Sequence, residues 1–132
     1  MDNKPVKKYL GVDWGEKRIG LALAESETRL ATPFKVVSGL REVIKEIEEE
    51  DIDLVVLGQP LGIRNIEPGV SSEKYNEFVK NLQAASDIKV ELVDERLSSK
   101  AADALPGGKK NKAPRDAVAA MLILQSYLDK RA

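Results

Sequence analysis

The stretch that decides the fold is Leu10-Gly11-Val12-Asp13-Trp14-Gly15-Glu16-Lys17-Arg18-Ile19-Gly20. Its pattern predicts a strand, a tight turn and the start of a second strand. Because side chains alternate across a strand, the large residues share one face, and Gly11, Asp13 and Gly15 share the other. The returning strand repeats this alternation of large and small residues up to Ala24. One carboxylate, that of Asp13, therefore stands on a face that is otherwise kept small.

Two interpretations of Asp13 remain open at this point. A charge in the interior of a strand costs free energy unless it is paired or binds something. Asp13 could be salt-bridged beside a face kept small for the close packing of a helix. Alternatively, it could belong to a site that binds a cation.

Composition restricts the chemistry. The chain has 132 residues and neither cysteine nor histidine, so we expect one domain over residues 1–132. The absence of histidine and cysteine excludes the usual zinc ligands, a Ser-His triad and thiolate catalysis. No apolar run approaches the length of a membrane span, and Met1 to Lys8 lacks an apolar export segment. We therefore expect a cytoplasmic protein with no membrane partner.

The net charge of −1 is unevenly distributed along the chain. Residues 1–95 carry 13 basic and 19 acidic side chains, for a net charge of −6. Residues 96–132 carry 8 basic and 3 acidic side chains, for a net charge of +5. The last third could therefore present a basic patch to a polyanion.

The remaining pattern predicts an α/β fold. After the first two strands we expect an edge strand over Arg29–Val37, because it contains Pro33, and then a helix capped by Ser38. The further elements, in order, are a buried parallel strand (54–57), a functional loop (59–70), a helix from Ser71 or Ser72, a strand ending at Asp94-Glu95-Arg96, a short helix (99–105) and a buried helix (117–128). The result is a five-stranded mixed sheet, with three antiparallel strands followed by two parallel ones, flanked by helices.

Three places along the chain offer carboxylates for a site. The first is Asp13, and the second is the pair Asp94 and Glu95 at the carboxyl end of the fifth strand. Alternation points these two in opposite directions, so only one of them would reach a site. A salt bridge to Arg96 or a helix-capping role would explain either one without a site.

The third carboxylate is Asp116, near the start of the last helix. Acidic residues favour the first helical turn for electrostatic reasons alone. Asp116, however, shares a helical face with Ala119, Ala120 and Ile123, which indicates that it points toward the small-residue face of the sheet. Carboxylates gathered from these three places suit Mg²⁺ or Mn²⁺, which prefer oxygen ligands. Two such ions about 4 Å apart can clamp both oxygens of a phosphoryl displacement without any histidine.

Basic residues cluster immediately before Asp116. A loop of this composition is ordinarily a solvated segment, but its position would let it hold a phosphate backbone near the metal ions. Few aromatic residues are interspersed with these basic residues, so we expect neither stacking on bases nor sequence-specific recognition. The predicted nucleic-acid contacts are Arg18, Arg96, Lys109, Lys110, Lys112 and Arg115.

The chain resembles the YqgF/RuvX family of the ribonuclease H-like superfamily. The resemblance rests on residues 11–20, 30–33, 56–60, 94–99 and 116–120, which follow one another in the family's order and spacing. It implies that Asp13, Glu95 and Asp116 form the acidic triad of a metal-dependent nuclease, and it selects Glu95 over Asp94. It also implies maturation of the 5′ end of the 16S ribosomal RNA precursor or, as an alternative, resolution of Holliday junctions.

The resemblance implies that the partner is structured RNA or branched DNA, and that the ribosome or a pre-ribosomal particle could also be bound. It does not decide whether the protein is a monomer or a dimer. Family members often have leucine at the position of Gln59, and Pro114-Arg115 is also unusual. Two other function classes remain. One is phosphoryl transfer from ATP, since Asp-x-Gly followed by Ile-Gly also resembles actin-like kinases, although these close two domains on a nucleotide. The other is a non-catalytic module that binds RNA or the ribosome.

Overall fold

The structure, a computed structural model, describes residues 6–59, 70–94 and 114–130. The predicted short helix over 99–105 and all but the two ends of the predicted loop over 59–70 lie outside these ranges; Gln59 belongs to a strand and Val70 to a helix. Within them, the elements in chain order are β1 (Lys8–Asp13), β2 (Ile19–Glu25), β3 (Thr32–Val37), α1 (Leu40–Glu49), β4 (Leu54–Gln59), α2 (Val70–Ser86), β5 (Lys89–Asp94) and α3 (Arg115–Lys130).

The five strands form one mixed sheet in the order β3-β2-β1-β4-β5. β2 is antiparallel to both β1 and β3, whereas β4 is parallel to both β1 and β5. This confirms the predicted α/β class, with an antiparallel and a parallel half. Pro33 lies on the edge strand β3 as predicted. The strand begins at Thr32 rather than Arg29 because the preceding backbone binds α3 instead of the sheet.

The alternation predicted for β1 separates two apolar layers. Leu10 and Val12 are fully buried with residues of α1 and α2 on one face of the sheet. Trp14 continues this face, and its ring packs at 5.7 Å from that of Tyr75. On the opposite face the small residues of β1 and β2 meet α3, as predicted for the final helix. The α3 layer contains Ala22, Ala24, Leu54, Val56, Val93, Ala120, Ile123, Leu124 and Leu128.

The start of α1 differs from the prediction. Its N-cap is Gly39, which is extended and provides no side-chain cap, so the predicted capping role of Ser38 is wrong. Ser38 instead donates its backbone N–H (2.8 Å) and its hydroxyl (2.6 Å) to the carboxylate of Glu42 in the first helical turn. These hydrogen bonds, that of the hydroxyl first, hold the pKa of Glu42 below its ordinary value. The Glu42 carboxylate therefore ties the residue before the N-cap to the first turn of the helix.

Two side chains fasten the edge strand to the helices. Glu46 of α1, which is 6% exposed, binds Lys35 of β3 at 2.8 Å, and this hydrogen bond raises the pKa of Lys35. Gln125 of α3 accepts the backbone N–H of Ala31 at 2.9 Å and donates to the carbonyl oxygen of Arg29 at 3.1 Å. The carboxamide of Gln125 therefore adds two hydrogen bonds to the apolar packing of the β2–β3 hairpin on α3.

Among the residues that the structure describes, no helix is long and apolar enough to cross a membrane.

Candidate active site

The carboxyl end of β1 places Asp13 beside β2. Asp13 is the last residue of β1, and its partner across the antiparallel ladder is Gly20. Asp13 is partly buried. Its position on the strand belongs to the face of Gly11, which is the face that α3 covers. The first predicted site residue therefore lies on the small-residue face, as its sequence pattern indicated.

Helix α3 approaches this face so closely that there is no room for a side chain at Gly11 or Gly20. A Cβ at Gly11 would lie 2.8 Å from the carbonyl oxygen of Ala120 and 2.8 Å from the Cβ of Leu124. A Cβ at Gly20 would overlap the carbonyl group of Asp116 and lie 2.9 Å from the nitrogen of Ala117. The first turn of α3 therefore rests directly on Gly20.

These contacts bring two predicted site residues together. Gly20 is the cross-strand partner of Asp13, and the peptide of Asp116 packs against the same Gly20. The helix packing that the sequence offered as one interpretation of Asp13 is therefore present, and the same packing brings the start of α3, with Asp116, to the cross-strand partner of Asp13.

Asp116 lies at the margin of the buried face of α3 rather than at its centre. Ala120 and Ile123 are fully buried, which confirms that part of the predicted face. The buried residues nearest to Asp116 also include Ala117, so the buried stripe is rotated away from the predicted one. The Asp116 side chain remains 32% exposed, and its carboxylate forms an ion pair with Arg18, whose Nε lies 3.2 Å from Oδ2.

The structure describes only some of the other predicted residues. Arg18 and Arg115 are both exposed. Arg18 immediately precedes β2, and Arg115 is the first residue of α3. Asp94 is the last residue of β5, and its backbone pairs in register with that of Gln59. The remaining predicted residues, which are Glu95, Arg96, Lys109, Lys110 and Lys112, lie outside the described ranges.

The donors present at this end of the sheet fit a hard cation. Asp13 and Asp116 offer carboxylate oxygens, the type of ligand that Mg²⁺ and Mn²⁺ prefer. The guanidinium of Arg18 already stands against one of these carboxylates as a positive group. No group of three or more acidic, histidine or cysteine residues that could hold a metal ion occurs within 6–59, 70–94 and 114–130. The third predicted ligand, Glu95, is not in those ranges.

The contact between Arg18 and Asp116 was missed by reasoning from sequence. The two residues are separated by most of the chain, and no periodicity links the turn after β1 to the start of α3. The same turn is also tied to α2, since Glu16 lies 3.9 Å from Lys74. The only signal in the sequence was a basic residue, Arg18, immediately before β2.

Comparison with solved structures identifies the class of fold. A structure of Thermus thermophilus RuvC in complex with a Holliday junction substrate matches with a TM-score of 0.65 at 16% sequence identity, covering 95% of each chain. The fold of this chain is therefore ribonuclease H-like, as the resemblance implied.

The family follows from sequence. The model of the RuvX family, described as Holliday junction resolvase, matches residues 7–130, and this chain belongs to that family. A relative from Chloroflexus aurantiacus named "Putative pre-16S rRNA nuclease" is 35% identical, covering 92% of this chain and 86% of its own. A relative of the same name from Endomicrobium trichonymphae is 32% identical over 94% of this chain and 96% of its own. The family resemblance drawn from sequence is confirmed.

Proposed function

We propose that this protein is a metal-dependent nuclease that hydrolyses phosphodiester bonds in structured RNA, with the 5′ end of the 16S ribosomal RNA precursor as its substrate. The observation that carries the proposal is the contact of the Asp116 peptide with Gly20, the cross-strand partner of Asp13. It joins two acidic residues from distant parts of the chain at the carboxyl end of β1, and ligands of open α/β sheets commonly bind beyond the carboxyl ends of parallel strands.

Each residue has an assigned role in this proposal. Asp13 and Asp116, together with Glu95, would hold one or two Mg²⁺ or Mn²⁺ ions. When bound, such ions lower the pKa of water and stabilise negative charge on phosphoryl oxygens. The exposed Arg18 and Arg115 would bind backbone phosphates beside the carboxylates, and Arg96, Lys109, Lys110 and Lys112 would extend this contact.

The alternation of β5 supports Glu95 over Asp94. Val93 is buried in the layer of α3, the layer that also covers the face of Asp13. In the sequence, Glu95 follows Val93 by two positions, which is the spacing at which residues of one strand share a face. The family resemblance selects the same residue on independent grounds.

The test is cleavage of precursor-like RNA hairpins by the wild type and by Asp13→Asn and Asp116→Asn, with Mg²⁺, Mn²⁺ or a chelator. The expected result is at least about a hundredfold loss of rate in both variants, since each removes a ligand of the metal ions that would stabilise the charge on the reacting phosphate. The matched control is Asp129→Asn, which makes the same change on α3 about 20 Å from Asp116.

Two results would overturn the proposal. One is equal cleavage by Asp13→Asn, and the other is cleavage that persists in chelator. If RNA binding is sensitive to salt but indifferent to divalent ions and to Asp13→Asn, the protein is instead a non-catalytic binding module.

Holliday junction resolution is the second candidate, because the family model carries that description and the similar RuvC structure holds a junction. Symmetrical cutting of a junction would require two copies of the chain, whereas trimming one RNA end would require one. Four-way DNA junctions belong in the same cleavage panel, with the molar mass in solution measured in parallel. Paired cuts made by a dimer would favour this candidate over the RNA.

A further inference from the structure

The ion pair between Arg18 and Asp116 is exposed to solvent, and neither residue depends on it for its position in the fold. The guanidinium binds through Nε to one carboxylate oxygen at 3.2 Å, and the Arg18 side chain is 74% exposed. Arg18 immediately precedes β2, and the backbone of Asp116 rests on Gly20. Both backbones are therefore fixed by the sheet, while the long arginine side chain is free to swing away.

Such a pair is weak by nature. An exposed ion pair is worth about a twofold to fivefold factor in an equilibrium constant, because solvent screens the charges and both side chains lose freedom. Opening the Arg18 contact thus costs little, and Asp116 keeps its place through the packing of α3 on Gly20. The arginine is not required to hold the carboxylate in position.

We propose that Arg18 is an internal counter-cation that occupies Asp116 in the metal-free protein and competes with the divalent ion for this carboxylate. The inference rests on the proposed function, since it takes Asp116 to be a metal ligand. Arg18 leaves Asp116 when the ion binds, and its guanidinium then becomes available to a backbone phosphate at the same site. Because a phosphate offers Arg18 an alternative partner, nucleic acid and metal ion each strengthen the binding of the other.

The first experiment measures Mn²⁺ affinity of the full chain by titration calorimetry at constant ionic strength. Arg18→Gln removes the competitor, and Arg18→Lys keeps a cation at the same position. Lys17→Gln is the matched control, because it removes the same charge from the neighbouring exposed residue. We expect Arg18→Gln to bind Mn²⁺ about two- to fivefold more tightly than Lys17→Gln and Arg18→Lys to remain close to the wild type.

The second experiment follows the Nε–H resonance of Arg18 by NMR, assigned from its absence in Arg18→Gln. In the wild type, Mg²⁺ should move this signal toward that of a free arginine. In Asp116→Asn the signal should already lie at the free position and should not respond. This measurement does not depend on catalysis.

The outcomes separate this inference from the proposed function. Equal affinities of Arg18→Gln and Lys17→Gln, weaker binding by Arg18→Gln, or an Nε–H signal that ignores Mg²⁺ would overturn the role of Arg18 while leaving the metal site intact. The proposed metal site itself fails if the wild type does not bind Mn²⁺. It also fails if Asp13→Asn and Asp116→Asn both bind Mn²⁺ as the wild type does.

Discussion

Among the glycines that the structure describes, the one most closely approached gives the sharpest prediction, the effect of Gly20→Ala. The added methyl group would overlap the carbonyl group of Asp116 and lie 2.9 Å from the nitrogen of Ala117. Both atoms belong to the backbone of α3, so no side-chain rotation can relieve the overlap. The first turn of the helix must therefore move away from β2, and Asp116 must move with it.

The size of the movement sets the expected effects. A carbon atom and a backbone oxygen or nitrogen in contact normally lie about 3.3–3.6 Å apart, so relieving the overlap with the Asp116 carbonyl requires the first turn to shift by more than about 1 Å. Overpacking of this kind costs about 1–3 kcal/mol of unfolding free energy, or a fall in Tm of about 4–12 °C for a domain of this size. A misplacement of about 1 Å in a catalytic group can lower the rate about a hundredfold.

The assay pairs thermal unfolding with the RNA cleavage rate for three glycine variants of graded crowding. Gly11→Ala is the intermediate case, because its methyl group would lie 2.8 Å from Ala120 and Leu124, further along α3. Gly39→Ala is the control, since nothing lies within 4 Å of its added methyl group. We expect the cleavage rate to fall most for Gly20→Ala, by less than about tenfold for Gly11→Ala, and not at all for Gly39→Ala.

Two results would refute this reasoning in different ways. If Gly20→Ala kept the Tm of the wild type, α3 would not rest on Gly20 as closely as described. If it lost stability but kept full cleavage activity, the position of Asp116 relative to Asp13 would not matter for catalysis.

Two further predictions concern stability. Gln125→Ala removes both hydrogen bonds that tie the β2–β3 hairpin to α3 and should lower the unfolding free energy by about 1–3 kcal/mol, measured by urea denaturation; an unchanged midpoint would show that water replaces the carboxamide. Because the folded protein lowers the pKa of Glu42 below 4.5 through its bonds to Ser38, this stabilisation is complete above that pH and is lost as the pH falls through the folded value. The Tm difference between the wild type and Ser38→Ala should therefore shrink as the pH falls from 7 to 3, and a constant difference would contradict the assignment.

Local patterns predicted most of the sheet. Alternation in β1 assigned Asp13 to the small-residue face, and Pro33 indicated the edge strand; both inferences use only neighbouring residues. The prediction for Ser38 failed because a serine next to a glycine can either cap the helix or bind a side chain in its first turn. The choice depends on where Glu42 points, which the sequence does not determine.

Contacts between distant elements were out of reach of the same reasoning. The helical period identified the buried side of α3, but a rotation by one residue moved Asp116 from the centre of that side to its margin. That shift leaves the carboxylate exposed enough to meet Arg18, and it is set by how α3 sits on Gly11 and Gly20. Register and packing angle decide such contacts, and neither is encoded in a local pattern.

The placement of α3 on Gly20 also has a consequence for synthesis of the protein. The β1–β2 hairpin emerges early from the ribosome, whereas the helix that carries Asp116 emerges about 100 residues later. Until then, the groove over Gly11 and Gly20 lacks both its cover and one of its carboxylates. A nascent chain would therefore lack the site proposed above until its last helix has packed onto the sheet.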